Sequence, residues 1–415
     1  MIQYSKIVLK PAKEAALKRF HPWLFSGAIM NIEGKVTAGD IVEVYSSKME
    51  YLGTGHYCEG AIVVKVFSFE QEVVNQLFWT KKLQLAYVLR QKLGMTENSL
   101  TNSYRLVFSE GDGLPGLIID YYNGVAVIQT HTMGMHLLLP VFTDALQKIY
   151  GKKLVAVYNK SAETMVGSRF KVQGSKFRVK GEGRMEKGEG VQEQDQFLFG
   201  NSSEIEILET GHRFFIDFIR GQKTGFFLDQ RGNRMFAQYY ARDRKVLNAF
   251  CYSGAFSVYA LKGSASLVHS VDSSKQAITW TDENVKLNGF DQGKHTSEVA
   301  DVKQYLVNIS EKFDMIILDP PAFAKTHQVT NNALHAYVHI NAEAMKRLNP
   351  GGLLFTFSCS QAISREMFRS AIQSAAIETG RQIRILHQLS QGPDHPVDIC
   401  HPEGEYLKGL ILMVQ

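Results

Sequence analysis

The chain has 415 residues, 45% of them hydrophobic and 21% charged, with a formal net charge of +5 at pH 7. Domains mostly hold ~100–150 residues, so two or three cores are expected, and this composition excludes extended disorder. The longest apolar runs, such as Gly352–Phe357 and Leu410–Val414, fall far short of the ~20 residues of a membrane-spanning helix.

The stretch Met1–Pro11 has lysines but no apolar signal core, so a cytoplasmic protein with no membrane segment is expected. A basic balance fits a nucleic-acid partner, although many metabolic enzymes share it. The four cysteines, Cys58, Cys251, Cys359 and Cys400, are too dispersed for a disulfide framework or a zinc site. No metal is expected, and each thiol is considered alone.

Alternation and turn residues predict strands at Ile7–Lys10, Asp40–Tyr45, Tyr51–Tyr57 and Ile62–Phe67, a small β-rich module over residues 1–75. Apolar residues from Gln76 to Leu93 recur at helical spacing, which predicts a connecting helix. Strands at Tyr104–Ser109, Leu117–Tyr122 and Val125–Thr130, then a helix over Met135–Tyr150, give a central α+β domain over residues 76–190. Between Gly181 and Ser203 the Gly, Glu, Lys, Gln and Ser content reads as a hairpin or linker.

Residues 191–415 alternate strands and helices. Strands are expected at Val246–Phe250, Leu267–Asp272, Thr296–Ala300, Phe313–Asp319 and Leu353–Cys359, with helices such as Ser274–Leu287 and Ala333–Leu348 between them. Such alternation implies a multidomain α/β protein with a C-terminal Rossmann-like sheet, doubly wound by right-handed crossovers. A helix over Ser364–Thr379, then Gln382–Leu389 and Tyr406–Val414, predict a terminal antiparallel hairpin.

Ligands of doubly wound sheets bind outside the carboxyl ends of the strands, beside the switch in strand order. The first strand runs into Phe250-Cys251-Tyr252-Ser253-Gly254-Ala255, where Gly254 permits a close backbone approach at a helix start. The turn lacks the G-x-G-x-x-G that seats a dinucleotide's pyrophosphate. It therefore suits S-adenosylmethionine (SAM) better than NAD. Asp272, with Ser273 beside it, ends strand two, where a carboxylate accepts ribose hydroxyls; the alternative is a cap on the helix that starts near Ser274. Asp301 either receives an adenine amino group or caps the helix over Val302–Ser310.

Strand four ends in Asp319-Pro320-Pro321. The prolines fix φ and lack N–H groups, which stiffens the backbone and leaves carbonyls available to a ligand; a simple turn-forming Asp-Pro is the alternative. Strand five ends in Ser358-Cys359-Ser360, so Cys359 is expected to face Asp319 across one pocket, unless it is an inert core thiol.

The segments Lys223–Arg231, Phe250–Phe256, Leu318–Pro321 and Ser358–Ser360, in that order, resemble the ribosomal RNA cytosine-5 methyltransferases of the RlmI type. The tail, with His395-Pro396-Val397, Pro402-Glu403 and Tyr406-Leu407-Lys408, is similar to that family as well. His21–Gly27 resembles the start of its PUA-type RNA-binding module, and Val107–Leu117 its central domain, so the likeness covers essentially the whole chain.

The resemblance implies a class I SAM-dependent methyltransferase domain and a 23S ribosomal RNA substrate, free or partly assembled, with a homodimer not excluded. It implies SAM contacts from Asp229, Gln230, Phe250, Tyr252, Gly254, Asp272, Ser273, Asp301, Asp319 and Pro320. Arg19, His21 and Trp23 are the candidate RNA contacts, although Trp23 and Phe25 also suit the core of the small module.

Cytosine C5 is a poor nucleophile, so its methylation needs a thiolate to add at C6, and Cys359 is the expected nucleophile. Asp319 is expected to bond the N3 and amino edge of the base, stabilising charge that develops as sulfur adds. Many RNA cytosine-5 methyltransferases carry a second Cys after the strand-four motif, but this chain has Ala322, so the base that takes the C5 proton is unassigned. Cys251, on the cofactor turn, is expected to pack beneath SAM. Two rival readings remain: methylation of a base nitrogen, which needs no thiol, and a noncatalytic RNA-binding ribosome-assembly protein.

Overall fold

The alternating apolar residues of the first 70 positions build a six-stranded sheet in the computed structural model, which describes residues 4–166, 195–203, 205–323 and 330–415. Its strands are β1 (Ser5–Leu9), β2 (Trp23–Phe25), β3 (Ile29–Glu33), β4 (Ile41–Tyr45), β5 (Tyr51–Tyr57) and β6 (Ile62–Ser68), in the order β2-β6-β5-β4-β1-β3. Ile7, Leu9, Val42, Val44, Val64 and Val66 fill one core from alternate positions, as a pleated strand requires. β2 and β3 lie outside the sequence expectation. β2 has three residues and β3 buries none of its residues fully, so neither carries a period-2 pattern.

Asn75 starts the connecting helix, Gln76–Lys92, by accepting a hydrogen bond from the Phe78 N–H at 3.0 Å. The helix buries Phe78, Trp79, Leu83 and Ala86 against a second sheet. That sheet comprises β7 (Ser103–Phe108), β8 (Leu117–Tyr122), β9 (Val125–Thr130), β10 (Ala156–Asn159) and β11 (Gln196–Gly200), in the order β11-β10-β9-β8-β7. It is apolar on both faces. Ile119, Ile128 and Val157 meet the helices, while Tyr122, Val127 and Tyr158 meet Ile207, Phe214 and Phe218 of the following segment.

Two features differ from the sequence reading. The helix expected over Met135–Tyr150 is two helices, Met133–Leu137 and Leu139–Tyr150, because Pro140 fits only a first helical turn. In the expected hairpin or linker, residues 181–194 lie outside the described residues, and Gln196–Gly200 pairs antiparallel with β10 as an edge strand. The apolar Phe197-Leu198-Phe199 overrides its Gly- and Gln-rich surroundings.

A hairpin of β12 (Ile205–Glu209) and β13 (His212–Ile216) and a helix, Arg231–Tyr240, precede the large sheet. This comprises β14 (Lys245–Ala249), β15 (Leu267–Asp272), β16 (His295–Val299), β17 (Phe313–Leu318), β18 (Leu348–Ser358), β19 (Ile383–Leu389) and β20 (Lys408–Val414). The order is β16-β15-β14-β17-β18-β20-β19. β14 to β18 are parallel, β20 runs antiparallel to both neighbours, and apolar cores cover both faces. The strand order reverses at β14, so the crevice for a ligand opens between the carboxyl ends of β14 and β17. Among the described residues, no helix is long and apolar enough to cross a membrane.

Buried ion pairs tie the parts together. Arg90, with no exposed surface, donates to Asp112 at 2.8 Å, to the Arg105 carbonyl at 2.7 Å and to the Asp394 carbonyl at 2.8 Å. Arg231 reaches Asp394 at 3.4 Å and Glu209 at 3.2 Å, and Arg234 reaches Glu209 at 2.6 Å.

Candidate active site

The turn after β14 is unusual backbone. Phe250, Tyr252 and Gly254 have φ of 60°, 48° and 75°, and a non-glycine residue in this region costs ~1–3 kcal/mol. A Cβ on Gly254 would lie 2.6 Å from the Thr281 methyl group, so only glycine fits there. Asp272 pays for the strain: its carboxylate accepts from the Tyr252 N–H at 3.1 Å and from the Ser274 N–H at 2.9 Å.

Ser274, not Asp272, caps the helix Lys275–Leu287. Asp301 does cap its helix, accepting from the Gln304 N–H at 3.0 Å, and Ser273 is exposed beside the turn. Cys251 is buried under the turn, 3.5 Å from the Thr281 hydroxyl, and burial pushes its thiol up to about 12.

A second group gathers at the ends of β17 and β18, as Asp-Pro-Pro and Ser-Cys-Ser suggested. Gln230 donates to Asp319 at 2.9 Å and accepts from Asn233 at 2.6 Å. Burial, reinforced by the Asp229 carboxylate, raises the Asp319 carboxyl to about 7. Tyr406 donates to one oxygen of Asp229 at 2.5 Å. The sulfur of Cys359 lies 4.0 Å from the Pro320 carbonyl, so the thiol and the Asp319 loop share one site. Burial, then Asp319 and Asp229, push that thiol up to about 12.

Reading the residues alone missed Asn233, Tyr406 and Lys408. Tyr406 and Lys408 carried a signal: two polar tips stand where an apolar strand begins, beside a strand that ends one residue before Cys359.

Three buried oxygens in this region, Asp229 Oδ1, Asn248 Oδ1 and Ser253 Oγ, have no hydrogen-bond partner. Together with two carboxylates and the left-handed turn, they suit a ligand with hydroxyl or amine donors and a positive charge. That is the chemistry of SAM, whose methyl-bearing sulfur is cationic.

Arg19, His21 and Trp23 sit on the N-terminal module. Arg19 is exposed. The Trp23 indole donates to Glu110 at 2.8 Å, and its ring meets His401 edge-on at 4.4 Å. Trp23 therefore joins the module to the central domain and the C-terminal tail. His21, His401 and Glu403 form a His/Glu group within 4.8 Å. His21 Nδ1 accepts from the Trp23 N–H at 3.2 Å, which leaves the proton of the neutral ring on Nε2, toward Glu403.

The profile of an S-adenosylmethionine-dependent methyltransferase family matches residues 192–409, and that of a PUA-like domain matches residues 7–69. The chain is 38% identical over 422 residues to ribosomal RNA large subunit methyltransferase I of Pseudoalteromonas atlantica, covering 99% of each chain. It is 36% identical to the protein of that name from Tolumonas auensis, covering 98% of this chain and 99% of the relative. Among solved structures, a Streptococcus mutans protein described as a SAM-dependent methyltransferase superposes with a TM-score of 0.80 at 22% identity, over 98% of this chain and 99% of the other. A methyltransferase complexed with SAH matches with the same score, identity and coverage.

Proposed function

The chain belongs to the ribosomal RNA large subunit methyltransferase I family, and from that premise we propose that it forms 5-methylcytosine in 23S ribosomal RNA through a covalent bond between Cys359 and the target base. The observation that carries this reading is the meeting of Cys359 with the Asp319-Pro320 loop at 4.0 Å. Methylation of a base nitrogen needs no thiol beside the carboxyl.

SAM, when bound, supplies the electrophilic methyl group. Phe250, Tyr252 and Gly254 form its backbone cradle; Asp272, with Ser273 and Asp301 beside it, takes the nucleoside end. Asp229, Gln230, Asp319 and Pro320 line the end that faces the reacting base.

Cys359 adds through sulfur to C6, which breaks the aromaticity of the ring and makes C5 nucleophilic. Asp319, raised to about 7, holds its proton in about half of the molecules at pH 7, and in that form donates a hydrogen bond to N3 while negative charge builds on the ring. Once C5 carries its methyl group, solvent water takes the C5 proton, the C–H electron pair re-forms the C5–C6 double bond, and the Cys359–C6 bond breaks and frees the thiolate. The substrate base must leave its stack, so RNA is taken single-stranded or locally opened. The PUA-like module, through Arg19, His21 and Trp23, presents that RNA.

RNA with 5-fluorocytosine at the target tests the proposal. With SAM it should trap a denaturation-resistant adduct, because fluorine cannot leave as a cation. Cys359→Ser should abolish both adduct and turnover, and Cys251→Ser should keep the adduct. A turnover-competent Cys359→Ser enzyme would sink the adduct reading and favour a base-nitrogen acceptor.

A further inference from the structure

We propose that Lys408 is the counter-cation of Cys359: its buried ammonium, fixed beside the end of β18, supplies the positive charge that lets the thiol give up its proton. The inference rests on Cys359 as the nucleophile. In the antiparallel pairing of β18 with β20, Lys408 lies directly opposite Ser358. Its ammonium then donates to the Ser360 carbonyl at 2.7 Å. Lys408 thus bridges the residues before and after Cys359. It is 4% exposed, so water screens its charge poorly.

The cation answers a real need. Asp319 and Asp229 both oppose ionisation of Cys359, whereas Lys408 favours it. Lys408 itself faces Cys359, Arg365 and Glu405, and the last two pair with each other. Burial lowers the Lys408 amine to about 8, so it is charged at neutral pH and loses its charge within an accessible range.

Two adjacent groups in this order leave a distinctive pH signature. Asp319 also titrates beside the thiol, at about 7, so the signature is read with Asp319→Asn: below about 8 the amine is then an ammonium, and the thiolate fraction rises tenfold with each pH unit as the thiol proton passes to water. Above about 8 the neutral amine with a thiol and the ammonium with a thiolate hold the same number of protons. Their ratio no longer depends on pH, and the rise stops.

The test is the rate at which iodoacetamide alkylates Cys359 in the full chain from pH 6 to 10, followed on the Cys359 peptide by mass spectrometry without RNA or SAM. All chains carry Asp319→Asn, which removes the neighbouring titration at about 7; with Lys408 in place the rate should show a slope-one rise that breaks to a plateau near pH 8. Lys408→Met should be slower by about tenfold or more at pH 7, a tenfold change corresponding to one pKa unit. It should also rise without a break. Lys408→Arg keeps its charge throughout, so it should lose the break but retain the fast rate at pH 7.

A parent Asp319→Asn profile that climbs through pH 8 without a break, or a folded Lys408→Met with the parent's profile, would show that Lys408 only pins the Ser360 carbonyl. The profile of the Asp319→Asn parent decides the matter even if neither Lys408 variant folds. An active Cys359→Ser enzyme would overturn the adduct and leave this ionisation result standing.

Discussion

Asp319→Asn should make the protein more stable while abolishing turnover, with a gain that depends on pH. Asp319 titrates at 3.8 in its ordinary state and at about 7 in the fold. A raised carboxyl pKa means that the folded state holds its proton more tightly than the unfolded chain. The wild type therefore loses stability as pH climbs from 3.8 to about 7, and the loss levels off above that. Carried across the whole interval, the shift costs on the order of 4 kcal/mol. Asp319 is half-buried, and allowing for screening leaves about 2 kcal/mol. Asparagine reproduces the neutral carboxyl and can still accept from Gln230. Urea unfolding of wild type and variant at pH 4, 5.5 and 8 should show an advantage that is small at pH 4 and largest at pH 8. A gain equal at all three pH values, or none, would refute the assignment of strain to this carboxylate.

Asp272→Ala frees the Tyr252 and Ser274 N–H groups from their shared acceptor and relaxes the turn. Binding of SAH by calorimetry should weaken about 10- to 100-fold, as loss of hydrogen bonds to a charged group implies; undiminished affinity would move the nucleoside elsewhere. Glu209→Gln leaves Arg231 and Arg234 without the buried carboxylate they share. The expected destabilisation is ~3–5 kcal/mol, measured by urea unfolding, and a variant within 1 kcal/mol of wild type, roughly the worth of an exposed pair, would contradict it.

The large sheet was legible because most of its strands are apolar runs closed by turn residues, and β14 to β17 lie within one residue of expectation, whereas β18 starts at Leu348, five residues before the expected Leu353. The meeting of the Asp319 loop with Cys359 was legible because a short motif ends each of the two strands. What escaped depends on contacts distant in sequence. Nothing local marks Glu209 as the partner of two arginines, and Arg90 reads as an ordinary exposed helix residue although it lies buried on Asp112. Asp272 was weighed as ribose ligand or helix cap; Ser274 takes the cap, and nothing local in sequence marks the bond by which Asp272 also clamps the strained turn at Tyr252. The edge strand Gln196–Gly200 was hidden because its pairing partner, β10, is itself only four residues long.

The position of β20 between β18 and β19 also shapes how the protein comes into being. Among the described residues β19 pairs with no strand except β20, so until residues 408–414 are in place, the sheet ends at β18 with the edge of an apolar strand unpaired. A nascent chain paused at that stage presents the kind of open edge on which other chains assemble. Newly made molecules are therefore open to edge pairing until β20 is in place, and the same closing strand brings Lys408 to the Ser360 carbonyl next to Cys359.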